Sequence, residues 1–314
     1  MKKALLLIPL LFLTSCRKKD DVAKTDGTIV TTVGMISDVA REIAGDKQDV
    51  TNLIGEGIDP HTHQPSKSEI DRLQTAGLVL YNGLFLEGKM GSILKDRTDK
   101  GHPVAAVAED HDDIELIGEG DHPDPHLWMD VSLWSKVSER IGSELIKFDP
   151  DNKAHYTERT AAYRKKIADL HTYALMVFPT IPQEQRVLVT AHDAFSYLGR
   201  AYGIEVRGIQ GISTESEAGT KDINDLVNHL VEKKIPAIFV ESSVPDKSVK
   251  AVIEGAAQQG HTVVIGGELF SDAMGPAGSY EGTYLGMMDH NITTIVNALG
   301  GQAPADGFQG KLND

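Results

Sequence analysis

A chain of 314 residues with 40% hydrophobic and 25% charged side chains can bury a sizeable core and divide into two lobes. Its 31 Lys and Arg against 46 Asp and Glu give a formal charge of -15, the wrong sign for holding phosphate backbones, so nucleic acid is not an expected partner. The only cysteine is Cys16, which excludes an internal disulfide and leaves no thiolate for a metal site in the folded body.

The amino end reads as a processing signal. Lys2 and Lys3 precede an apolar run from Ala4 to Leu13, and Thr14, Ser15 and Cys16 follow. The run is too short for a permanent membrane span. The order Leu13, Thr14, Ser15, Cys16 resembles a bacterial lipoprotein cleavage box, in which the cysteine becomes the lipidated first residue; an ordinary secretory peptide cut near Ser15 is the alternative. Either reading predicts export. Residues 1–16 are thus a signal peptide and 17–27, charged and without apolar periodicity, a flexible tether.

From Thr28 short β-branched runs alternate with longer helical ones, the pattern of a parallel α/β fold. Strands are predicted at 28–33, 49–54, 78–83 and 103–108, with helices at 35–45 and 67–77. A second set of strands is predicted at 186–191, 204–209, 237–242 and 262–267, with helices at 223–234 and 249–260. Between the sets, residues 152–177 contain neither Gly nor Pro and carry apolar residues at helical spacing, which predicts one rigid helix roughly 39 Å long. The expected organisation is a lobe at 28–150, a linking helix at 151–180 and a lobe at 181–314.

Ligands of parallel α/β folds collect at the carboxyl ends of strands. Four polar residues fall there or just ahead of a helix: His61, His126, His192 and Asp272. His61 and His126 each close an Asp-Pro-His tripeptide, in which the aspartate can accept from a backbone N–H or from the ring. Three imidazoles and a carboxylate suit Zn, Mn or Fe(II). They lie roughly 65, 66 and 80 positions apart, unlike the short paired spacings of structural zinc sites, and two come from each lobe. A metal held by all four would sit in the cleft between lobes, as cargo or catalyst. His63 competes with His61 for the first position, and His111 and His122 lie in an acidic loop. His155 and His171 read as ordinary surface or partly packed histidines, Trp128 and Trp134 as packing, Glu241 as a satisfied structural carboxylate in preference to one that approaches the cleft, and Asp193 as a residue orienting its loop or capping the next helix.

The segments "GIDPHTHQPS", "DPHLWMDVSLW", "VTAHDAFSYLGRAYGIEVRGIQGISTESE", "IPAIFVESS" and "GGELFSDAMGPAGSYEGTYLGMMDHNI" resemble those of the TroA-like metal-binding lipoproteins. These are the cluster A-I solute-binding subunits of ABC importers for zinc and manganese. The resemblance covers nearly all of the mature chain, with the motifs in the family's order. It implies two α/β lobes joined by one long helix and little movement on binding. It also implies one Zn(II) or Mn(II) held by His61, His126, His192 and Asp272, and no catalytic residues. The implied partners are a membrane permease and a separate ATPase; this sequence holds no GxxxxGK[ST] loop of its own. A monomer, lipid-anchored through Cys16 in a periplasm or on an outer cell surface, is expected. Two departures pull apart on cargo. The loop before the second Asp-Pro-His is short and acidic where zinc members often carry many histidines, whereas His192 replaces the glutamate frequent in manganese members and favours zinc. An exported zinc metallohydrolase is the alternative of a different class, opposed by the absence of HExxH and of an open coordination position. Surface adhesion, a label given to some relatives, is the third reading.

Overall fold

The computed structural model describes residues 27–119 and 122–312, so the expected leader and nearly all of the tether lie outside the described residues. Strand β1 (Ile29–Thr31), buried throughout, runs into helix α1 (Gly34–Ala44). This helix forms because Met35, Ile36, Val39, Ala40 and Ile43 recur at three- and four-residue spacing, and all five are buried on one face. Gly45 ends it at φ 60°, in the left-handed half of backbone space that favours glycine, and donates its N–H to Arg41 O. Then follow β2 (Val50–Asn52), α2 (Lys67–Thr75), β3 (Leu78–Tyr81), α3 (Gly91–Asp99) and β4 (Val104–Ala106). A capping box between Ser66 and Glu69 sets the start of α2. The four strands pair in parallel in the order β2-β1-β3-β4, which brings their carboxyl ends and the loops after them to one edge.

A short antiparallel pair, β5 (Gly118–Glu119) with β6 (His122–Pro123), leads to the segment carrying His126. Helix α4 (Val131–Phe148) follows, its start fixed by Asp130, which accepts from the N–H groups of Ser132 and Leu133. The linking helix α5 (Lys153–Val177) has 25 residues and is about 38 Å long, one residue shorter at its start than the sequence predicts. Single 3-10 turns at Pro150–Asn152 and Phe178–Thr180 flank it. It is packed at its middle and toward its end: the Tyr163 hydroxyl donates to Asp38 of α1 at 2.8 Å, and the Tyr173 hydroxyl meets Thr293, in the last helix, at 3.0 Å.

The second lobe contains β7 (Val187–His192), α6 (Ser196–Tyr202), β8 (Glu205–Gln210), α7 (Thr220–Lys233), β9 (Ala237–Glu241), α8 (Lys247–Gln258), β10 (Val264–Leu269) and α9 (Tyr284–Ala298). β7 pairs with β8 and β9 with β10, both in parallel, and β7 lies beside β9. All six residues of β7 are buried, as a central strand requires. Two features go beyond the chain-order reading. A smaller apolar cluster lies under α7 and α8, whereas the larger one runs from β1 through α5 to α9. The last helix therefore packs against the first lobe, and the Tyr284 N–H donates to Asp38 at 3.1 Å. Among the described residues no helix is long and apolar enough to cross a membrane.

Candidate metal centre

The four residues singled out by their place in the sequence meet at one point. His61 lies in the loop between β2 and α2, His126 ahead of α4, His192 is the last residue of β7, and Asp272 lies three residues beyond β10. One ligand atom from each falls within 4.8 Å of all the others, and all four side chains are buried. His61 Nε2 is 3.2 Å from His126 Nε2 and 3.6 Å from Asp272 Oδ2. Asp272 lies 3.3 Å from His126 Nε2 and 3.2 Å from His192 Nε2. Four atoms bound at zinc–nitrogen distances to one tetrahedral ion would stand about 3.3 Å apart, close to these four separations of 3.2–3.6 Å.

The short separations are not matched by hydrogen bonds. His192 Nε2 and both Asp272 oxygens are buried without a well-directed partner, although the imidazole and carboxylate atoms approach closely enough to interact electrostatically. Buried polar atoms without partners are rare because each forfeits its hydration. A bound cation would satisfy all of them at once.

Local folding aims the rings. His126 donates from its backbone N–H to Asp124 Oδ1 at 2.9 Å, and its Nδ1 meets the same oxygen at 2.7 Å. Glu241, the last residue of β9, accepts from the His192 N–H at 2.8 Å and faces its Nδ1 at 2.6 Å. A carboxylate at Nδ1 keeps a proton on that nitrogen, so that once the ring is neutral its Nε2 lone pair points into the cluster, the tautomer a metal needs. His61 differs. Asp59 accepts only from its backbone N–H, at 2.8 Å, and among the described residues no carboxylate holds its ring at Nδ1.

These surroundings divide the titrations. Burial pushes the His61 imidazolium down to about 4, against the attraction of Asp272. Burial also opposes the charge on His126, but Asp124 and Asp272 outweigh it and carry that group up to about 9. Glu241 and Asp272 likewise overcome burial and hold His192 well above the usual histidine range. Burial would raise Asp272, yet His192 and His126 hold its carboxyl well below the usual range.

The remaining candidates lie elsewhere. His63 faces Glu69 at 3.1 Å, His111 contacts Val107 O at 2.8 Å, and exposed His122 sits beside Phe85. His155 contacts Ala44 O and His171 the Tyr202 hydroxyl, both as packed side chains. Asp193 accepts from the Ser196 hydroxyl at 2.8 Å and so ties down its own loop. Trp128 packs edge-on to the His126 ring and also donates its Nε1–H to Ser271 O at 2.9 Å, joining the second Asp-Pro-His segment to the strand end that carries Asp272.

Glu241 is the residue whose part the sequence reading understated. It is satisfied, but by the ring that it orients. The rule that selected His192, a polar residue at the carboxyl end of a parallel strand, selects Glu241 equally. Glu241→Gln is expected to weaken metal binding about 10- to 100-fold by loosening that tautomer and orientation, as measured by competition with a chromophoric chelator. Unchanged affinity would leave Glu241 with a packing role only.

Comparison with known proteins follows the same lines. Residues 29–298 match the family described as zinc-uptake complex component A, periplasmic. The zinc-binding protein TroA of Treponema pallidum is 44% identical over 282 residues, covering 90% of this chain and 91% of the relative. The manganese-binding lipoprotein MntA of Bacillus subtilis is 44% identical over 273 residues, covering 86% and 89%. The solved structure of the Treponema pallidum periplasmic zinc-binding protein superposes with a TM-score of 0.84 over 87% of this chain and 99% of that one. With its two parallel-sheet lobes, its long linking helix and a match over most of its length, the chain belongs to the family of zinc-uptake complex component A periplasmic proteins.

Proposed function

We propose that this protein is the solute-binding component of an ABC importer, capturing one divalent transition-metal ion through His61, His126, His192 and Asp272 and passing it to a membrane permease driven by a separate ATPase. The observation that carries the reading is the convergence of four buried ligand atoms within 4.8 Å of one another, those of His192 and Asp272 without hydrogen bonds. The metal is cargo. Using all four protein groups as ligands leaves no position for water and substrate, which disfavours the hydrolase. Family membership points the same way. Three nitrogens and one carboxylate make Zn(II) the favoured ion, with Mn(II) the second. Two relatives of equal identity, one named for zinc and one for manganese, leave that choice to experiment.

Residues 28–150 and 181–314 are the two lobes of this reading, with 151–180 as the strut between them. Export follows from the leader, and lipid on Cys16 would keep the protein, as a monomer, beside its permease. Relatives named as lipoproteins support that anchor. Calorimetric titration of the metal-free protein with Zn(II), and separately with Mn(II), tests the function. Tight one-to-one binding of either ion is expected, and no saturable binding of either would sink it.

A further inference from the structure

We propose that the loop at 211–219 is a strap that holds the His61 loop shut from the opposite lobe and sets the rate at which the ion leaves, with Thr214 and Asp59 as its positioning residues. The inference rests on the metal-capture reading and goes beyond it by assigning retention to residues that are not ligands.

Asp59 is the junction. Its Oδ1 accepts the His61 N–H at 2.8 Å. Its Oδ2 accepts the Thr62 hydroxyl at 2.9 Å and, from across the cleft, the Thr214 hydroxyl at 2.5 Å. Beside it Lys89 of the first lobe pairs with Glu215 of the strap at 2.5 Å. That pair is half-exposed and contributes little by itself, so the hydroxyl–carboxylate bond carries most of the hold.

His61 is the ligand built to yield. Among the described residues no carboxylate meets its Nδ1, unlike those of His126 and His192, and it sits on an irregular loop rather than at a strand end like His192. Its relative exposure of 4%, against 0% for His126 and His192, places it at the edge of the cluster. A cavity of about 90 Å³ reaches Asp272 and is walled by Gly55 and Glu56, where the His61 loop begins, and by Ala277 of the other lobe. Swinging that loop outward would widen this cavity into a way out for the ion. The strap can itself move: glycines stand at 211 and 219, and an open cavity of about 440 Å³, lined in part by Asp193, Gln210 and Ser216, lies beside it. A permease that drew the strap aside would release Asp59, then His61, then the metal.

The test is stopped-flow transfer of Zn(II) from the loaded full chain to excess chelator, with the association rate measured in parallel. Thr214→Val should speed release about tenfold while association stays within about twofold, because losing a closing contact acts on dissociation. Thr214→Ser, which keeps the hydroxyl, should restore the slow release. Lys89→Glu should speed release less, and Lys89→Glu combined with Glu215→Lys should recover it. The Co(II) absorption spectrum of Thr214→Val should match that of the parent, since the ligands are untouched. Release at the parent rate in Thr214→Val would overturn the strap, as would an altered Co(II) spectrum, which would mean that Thr214 shapes the site itself. Asp272→Ala serves as the separate control. If it still binds Zn(II) tightly, the capture site has been misassigned, whatever the strap does.

Discussion

His126→Ala and Asp272→Ala are each expected to lower metal affinity by about two to three orders of magnitude, while His155→Ala leaves it unchanged. Each ligand supplies a comparable share of the binding free energy of a four-ligand zinc site, which in total is about 10–16 kcal/mol. Removing His126 takes away a nitrogen at 3.2 Å from His61 Nε2 and 3.3 Å from the carboxylate, and leaves Asp124 without the ring it orients. Removing Asp272 deletes the one anion that faces all three imidazoles. The fold should survive, because neither Asp272 oxygen forms a hydrogen bond that the structure depends on. His155 serves as the control: it touches Ala44 O at the start of the linking helix and nothing in the cluster. Thermal melts give an independent readout. Zn(II) at a thousandfold excess over the parent dissociation constant stabilises the native state by about 4 kcal/mol, and at the same concentration that gain should fall to about 0.4–1.4 kcal/mol in the two ligand variants and persist in His155→Ala. Equal affinity in all three proteins would refute the site.

Binding of one ion near pH 7 should release about two protons, so affinity should climb steeply with pH, approaching a hundredfold per unit while both protons remain bound. The sign follows from the free site. His126 titrates at about 9 and His192 well above the usual range, so at neutral pH both rings carry a proton that the metal must displace. His61, at about 4, is already neutral, and Asp272 is already ionised. Four ordinary side chains would predict something else: affinity lost only as pH falls through about 6.5, the unperturbed histidine value. The difference comes from Asp124 and Glu241, whose charges favour the imidazolium in the absence of metal and polarise the imidazole in its presence. Calorimetry in two buffers of different ionisation enthalpy counts the protons directly. A count near zero at pH 7 would show that the site is preformed in its neutral state and that the flanking carboxylates only orient the rings.

The four converging residues were legible because the donor chemistry of each is local. Asp-Pro-His appears twice, a histidine follows a buried β-branched run, and an aspartate follows another; parallel strands deliver such residues to one edge whatever the rest of the chain does. The long helix was legible for a similar reason, since 152–177 lacks both residues that break helices. Strand ends were less so: 28–33 narrows to Ile29–Thr31 and 49–54 to Val50–Asn52 as regular strand, although Leu53 and Ile54 still donate to Thr31 O and Thr32 O, and no residue records in its own identity where regular pairing ends.

By itself, then, the sequence determined the alternation of strands and helices, the long linking helix and the four residues that converge on one point, because periodicity, backbone restriction and donor type are properties of short stretches. Tertiary structure alone decided that Glu241 grips His192, that Trp128 ties the two motif segments together, and that α9 closes against the first lobe. It alone decided that Thr214 reaches Asp59 across the cleft. The physical reason is the same for each: a hydrogen bond or packing contact between residues tens to hundreds of positions apart depends on where two separately built lobes come to rest, and a carboxylate that orients a ligand looks, in sequence, like any other acid.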